Sequence, residues 1–169
     1  TQAAGAAFGL PFGIAGLLGT LCYGFVSDRV GRRGSAAPLR LAAAALSIAT
    51  LCIFTITWVP SLATAQLLAI PSGLLGGGWS VGILVGFQYI LPERHRASGT
   101  AIALLAVGLT SNLAGPWVVG LLSDLFGGGL AGLRTSLTLM IPLGLVGALA
   151  MWRASGLLDA DRRRLAGEA

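Results

Sequence analysis

Five uninterrupted apolar runs constrain this chain more than any other feature. They cover about residues 6–26, 41–59, 65–91, 97–122 and 136–152. A helix rises about 1.5 Å per residue, so each run can cross a bilayer core of about 30 Å, the longer ones with some tilt. Charged residues make up only 10% of the chain, against about 25% in a typical soluble domain. A chain so poor in charge could not cover its own surface in water. The expected fold class is therefore all-α integral membrane, with five transmembrane helices and the lipid bilayer as first partner. Residues 1–153 form the expected transmembrane part and 154–169 a cytoplasmic tail.

The arginines orient the runs. The chain has 11 basic residues, all of them Arg. Arg29, Arg32, Arg33 and Arg40 lie between runs one and two, and Arg94 and Arg96 between runs three and four. Arg153, Arg162, Arg163 and Arg164 follow run five. Five crossings put all ten on one side and leave Arg134 alone on the other. That is the positive-inside asymmetry, and one helix more or fewer would scramble it. It predicts an N-terminus outside and a C-terminus in the cytoplasm. Basic residues confined to short loops between apolar runs favour a membrane surface over nucleic acid, so no nucleic-acid partner is expected.

Several chemistries are not suggested. Cys22 and Cys52 lie inside apolar runs and form no metal-binding or disulfide spacing. The acids Asp28, Glu93, Asp124, Asp159, Asp161 and Glu168 all fall at run ends or in loops, and the single His95 sits in a short basic loop. No nucleophile–base pair, metal site or cofactor is therefore expected, and no enzyme activity. Gly76-Gly77-Gly78-Trp79 lacks the lysine and the preceding strand of a phosphate-binding loop.

The loop after run one carries the most specific motif: Gly24-Phe-Val-Ser-Asp28-Arg29-Val-Gly31-Arg32-Arg33. Gly24 and Asp28 share a helix face, with Gly24 expected to allow close helix contact. A carboxylate at a helix C-terminus opposes the dipole, so Asp28 calls for a partner. Gly31 is expected to let the chain reverse. The pattern Gly-x-x-x-Asp-Arg-x-Gly-Arg-Arg resembles the cytoplasmic signature loop of the major facilitator superfamily of secondary transporters. The resemblance implies gate roles for Asp28 and Arg29 and geometric support from Gly24 and Gly31; by their own chemistry Arg32 and Arg33 can bind lipid phosphates or neighbouring helix ends.

A second landmark runs from Leu91-Pro92-Glu93-Arg94-His95-Arg96 to Gly115-Pro116-Trp-Val-Val-Gly120-Leu-Leu-Ser-Asp124. It is similar to the region between helices ten and eleven of that superfamily, and of spinster-like members in particular. On this resemblance the chain is a partial major facilitator fold, helices eight to twelve. Helices four to six follow a similar pattern. In that case residues 108–120 would be the helix-five motif of antiporters, whose Gly-Gly ending is absent at Val119-Gly120. Five spans are an incomplete set for such a transporter. The resemblance thus implies an N-terminal half as partner, alternating access, a small organic solute as substrate and a bacterial-type inner membrane as location. A membrane-embedded structural or assembly protein without a substrate is the other reading.

Polar side chains inside the runs are the candidates for a substrate cavity, because a lipid-facing polar group is costly. Asn112 and Trp79, near the middle of runs four and three, come first, followed by Gln88, Tyr23 and Gln66. The stripe Gly78-x-x-x-Gly82-x-x-x-Gly86, with Gly73 and Gly77 before it, offers either a sliding surface or static close packing. Trp58-Val59-Pro60-Ser61 reads as a tight outer turn and residues 124–134 as a flexible outer loop.

The topology has a direct test. Alkaline phosphatase fused after Ser61 or Gly128 is expected to be active outside the cytoplasm, and inactive when fused after Gly34 or Glu93. The opposite pattern would invert the assigned orientation.

Overall fold

The computed structural model describes residues 2–32, 34 and 36–167, and among them it is helical with no strand. The helices are α1 (Gln2–Gly31), α2 (Ala37–Trp58), α3 (Leu62–Ile90), α4 (Arg96–Leu109), α5 (Gly115–Leu125), α6 (Gly129–Met140) and α7 (Leu143–Gly167). A single 3₁₀ turn precedes α4, and a π-helical segment at residues 110–114 joins α4 to α5. Five stretches are long and apolar enough to cross a membrane: Gly9–Gly31, Ala37–Trp58, Leu62–Gln88, Glu93–Leu125 and Gly129–Leu158. Their outer surface is apolar, with Phe25, Ile102, Trp117 and Leu157 all well exposed. Such a surface is suited to lipid and not to water.

The helices end where local chemistry stops them. Pro38 sits in the first turn of α2, where its missing N–H costs nothing. The α2–α3 turn forms at Val59 to Ser61, as expected, and its Val59 N–H donates to the Ile56 carbonyl at 3.4 Å. α3 stops at Leu91, before Pro92. Fifth-span residues form two helices because Pro142 offers no N–H and crowds the preceding turn.

Three differences from the sequence reading have physical causes. The expected flexible loop at 124–134 is a tight turn. Gly127, Gly128 and Gly129 all have positive φ, at 92°, 68° and 63°, and α6 begins at once. The chain reversal after run one is not made at Gly31, which is the last residue of α1. It is made by turns in which the Gly34 N–H donates to the Gly31 carbonyl and the Ala37 N–H to the Gly34 carbonyl. Finally, no break separates a tail at residue 153. α7 continues, and Ser155 and Leu158 extend the buried stripe begun by Ala148 and Met151.

α1 and α2 both pack extensively on α3. Glycine makes this possible. A Cβ on Gly19 would collide with the Leu74 backbone, and one on Gly77 with the Gly16 backbone. One on Gly73 would lie 2.5 Å from the Phe12 carbonyl oxygen. Farther along α3, Gly78 receives the Tyr23 ring, and Gly82 fits against Ala42 and the Tyr23 hydroxyl. Thr20 Oγ1 reaches the Gly77 carbonyl at 3.0 Å, and the Tyr23 hydroxyl donates to the Pro38 carbonyl at 2.7 Å. The α3 stripe is thus a seam of close packing shared by α1 and α2. α7 lies along α2, with Gly144 against Thr50 and the Arg40 Nε–H donating to Ser155 Oγ at 3.2 Å.

The fourth span stands apart. α4 touches the end of α3, and α5 packs on α6, where Gly132 meets the Ser123 carbonyl. None of its most apolar window is buried.

Gly77→Val is expected to destabilise the bundle by about 1–3 kcal/mol, the usual cost of overpacking. Gly24→Ala, where an added methyl would meet nothing within 4 Å, is expected to be neutral or slightly stabilising. Unfolding by SDS titration in mixed micelles measures both, and equal effects would contradict the seam.

Candidate functional site

The signature residues lie at one end of the bundle, on the last two turns of α1 and the connection to α2. Asp28, Arg29 and Arg32 are exposed. The one ion pair among the described residues is Arg96 with Glu93, at 3.7 Å, so Asp28 has no ionic partner there. Arg29 in the last turn of α1 suits the negative end of the dipole. Arg33 falls outside the described residues. Gly24 makes no close helix contact among the described residues. α1 runs on to Gly31, and the space beside Gly24 is open.

Between these residues sits a group that the sequence reading passed over. Ser27 is 2% exposed, and its hydroxyl has no hydrogen-bond partner among the described residues. It continues the Ala15, Gly19, Tyr23 stripe at four-residue spacing, which is the face α1 turns toward the bundle interior. A serine at an undefined position of the motif gives no signal by itself. Its burial follows only from the register of α1.

The five cavity candidates are dispersed. Tyr23 is buried and structural, holding the start of α2 through Pro38. Trp79 is half-buried on α3, and Gln88 is exposed near the end of that helix. Gln66 is half-buried at the opposite end of α3, in a shallow cleft shared with Pro11, Ala63, Leu67 and Ile70. Asn112 is exposed on the free fourth span. Among the described residues they are therefore not brought together at one place.

Asn112 has a distinctive local setting. It sits in the π-helical segment at residues 110–114, which the sequence reading did not anticipate. Thr110, Ser111 and Asn112 each turn a side-chain donor back to the carbonyl four residues earlier. The distances are 2.8 Å to Ala106, 2.7 Å to Val107 and 2.8 Å to Gly108. Such back-bonding competes with the regular helix ladder. Pro116 adds to it, because it cannot donate to the Asn112 carbonyl and its ring crowds that group. Three consecutive polar residues before Gly115-Pro116 are the signal that could have revealed the π segment. Segments of this kind are frequent at functional sites.

Among the described residues no group of three or more His, Cys, Asp or Glu could hold a metal ion. Comparison with protein-family models, with curated proteins and with solved structures gives no match to this chain. The fold defines a coarser class: an all-helical chain with five helices long and apolar enough to span a membrane.

Ser27→Ala tests the orphan hydroxyl. Removing an unsatisfied buried polar group is expected to raise stability by about 1–3 kcal/mol, read by the same SDS titration. A loss of stability would show that the hydroxyl has a partner.

Proposed function

We propose that this chain is part of a secondary active transporter of the major facilitator type, corresponding to helices eight to twelve of its C-terminal half. It moves a small organic solute by alternating access, in a bacterial-type inner membrane with its C-terminus in the cytoplasm. The observation that carries the reading is the hairpin at residues 24–33. Its Gly, Asp and Arg spacing matches the superfamily signature at every defined position, and it joins two apolar helices of membrane-spanning length. Asp28, exposed and without an ionic partner in the described chain, then acts as half of a gate whose other half belongs to a second helical unit. The unburied fourth span supports the same reading, because its polar π segment would face that unit across a central, water-filled path. A spinster-like cargo, lipid-like or an organic anion, is the finer form of the proposal.

The scattering of Trp79, Gln66, Gln88 and Asn112 favours a second reading, a structural or assembly protein with no substrate. The two are separated by the environment of Asn112. In a Cys22→Ser, Cys52→Ala background, Asn112→Cys of the intact protein in native membranes is expected to react with a charged, membrane-impermeant maleimide. The transport reading places it against water. No labelling, with normal labelling of a Gly34→Cys control in opened vesicles, would favour the structural reading.

A further inference from the structure

Among the described residues Arg134 is the one arginine at the end of the bundle away from the signature hairpin, and its surroundings give it a use. We infer that it heads a binding cleft for an amphiphilic anion, one with a carboxylate or phosphate head and an apolar body. The cleft lies between the end of α2 and α6, with a volume of about 600 Å³. Arg134 Cζ stands 5.8 Å from the centroid of the Trp58 ring. At that distance the cation is attracted by the face of the indole, which draws Arg134 toward the cleft. Arg134 has no ion pair among the described residues, and Asp124, the acid at that end, is not in the cleft.

The remaining lining sets the ligand class. The Thr57 hydroxyl donates to the Phe54 carbonyl at 2.6 Å and the Thr135 hydroxyl to the Ala131 carbonyl at 2.9 Å. Both hydroxyl protons are engaged within their own helices, so the guanidinium is the charge-bearing donor. Leu130 and Leu137 complete an apolar wall beside the indole. One fixed cation next to an aromatic face and a leucine wall fits a single anionic head with a hydrocarbon or aromatic body. A neutral or cationic amphiphile would leave the guanidinium unmatched. This inference does not rest on transport and would hold for a structural membrane protein as well.

The intact protein in phosphatidylcholine nanodiscs provides the test, with 11-(dansylamino)undecanoate as probe and empty nanodiscs as baseline. The native protein is expected to bind the carboxylate at least about tenfold more tightly than its methyl ester, a difference of about 1.4 kcal/mol. Arg134→Gln should remove that preference, and Arg134→Lys should keep only part of it, because lysine lacks the planar fork. Arg134 is exposed, so the glutamine variant should fold. The ester comparison needs no variant. Equal binding of acid and ester, or a full preference in Arg134→Gln, would overturn the inference. Displacement of the probe by phosphatidylglycerol in the disc would identify a lipid as occupant. Displacement by decanoate but not by that lipid would identify a soluble anion. Either result supports the anionic cleft.

Discussion

Backbone-to-backbone contact between α1 and α3 is the interaction on which the bundle depends. Apolar side chains gain little by leaving lipid for a protein interior that is equally apolar. Helices in that solvent associate through close van der Waals fit and occasional hydrogen bonds. Gly16 and Gly19 on α1, with Gly73 and Gly77 on α3, remove the side chains that would keep the two backbones apart. The Thr20 hydroxyl shares its one proton between the Gly16 carbonyl of its own helix and the Gly77 carbonyl across the same contact. Tyr23 then extends the contact to α2, because its ring fills the space over Gly78 while its hydroxyl ties down Pro38. α7 joins the group through α2 by way of small and polar residues: Gly144 against Thr50, and Ser155 against Arg40.

The other limb follows different rules. α5 and α6 form a tight hairpin because three consecutive glycines accept positive φ and Gly132 accepts the Ser123 carbonyl. α4 and α5 are one apolar span broken at its centre by a π segment, and they do not share the seam. A rigid group of packed helices next to a limb with an irregular, polar centre is an arrangement in which motion would concentrate in the limb. The signature hairpin belongs to the rigid group and the Asn112 segment to the limb. In the transport reading, gate and cavity wall are thus carried by separately packed parts of the chain.

Much of this was legible in the residues. The five spans, the turn at Pro60 and the stop before Pro92 follow from apolar length and from the missing proline N–H. The glycine stripe on α3 was visible as a pattern, but its partners were not. Which helix a glycine admits depends on tertiary pairing, and that is why Gly24, grouped with the packing glycines, faces open space while Gly19 does not. The burial of Ser27 and the exposure of Asn112 were hidden for the same reason. A polar residue within an apolar run has the same local sequence whether it faces lipid, water or another helix. The π segment was hidden because it arises from four residues acting together: three back-bonding side chains and a proline. The continuation of α7 past residue 153 was obscured by the charged composition of the tail.

Amide hydrogen exchange of the intact protein in nanodiscs bears on the two-part construction. Amides of the α3 seam, residues 69–86, should resist exchange for hours. Those of the π segment, residues 108–116, should exchange within minutes, because their ladder is irregular and, in the transport reading, faces water. Equal, strong protection of both segments would show a single closed bundle and would contradict both the independent limb and the cavity role given to Asn112.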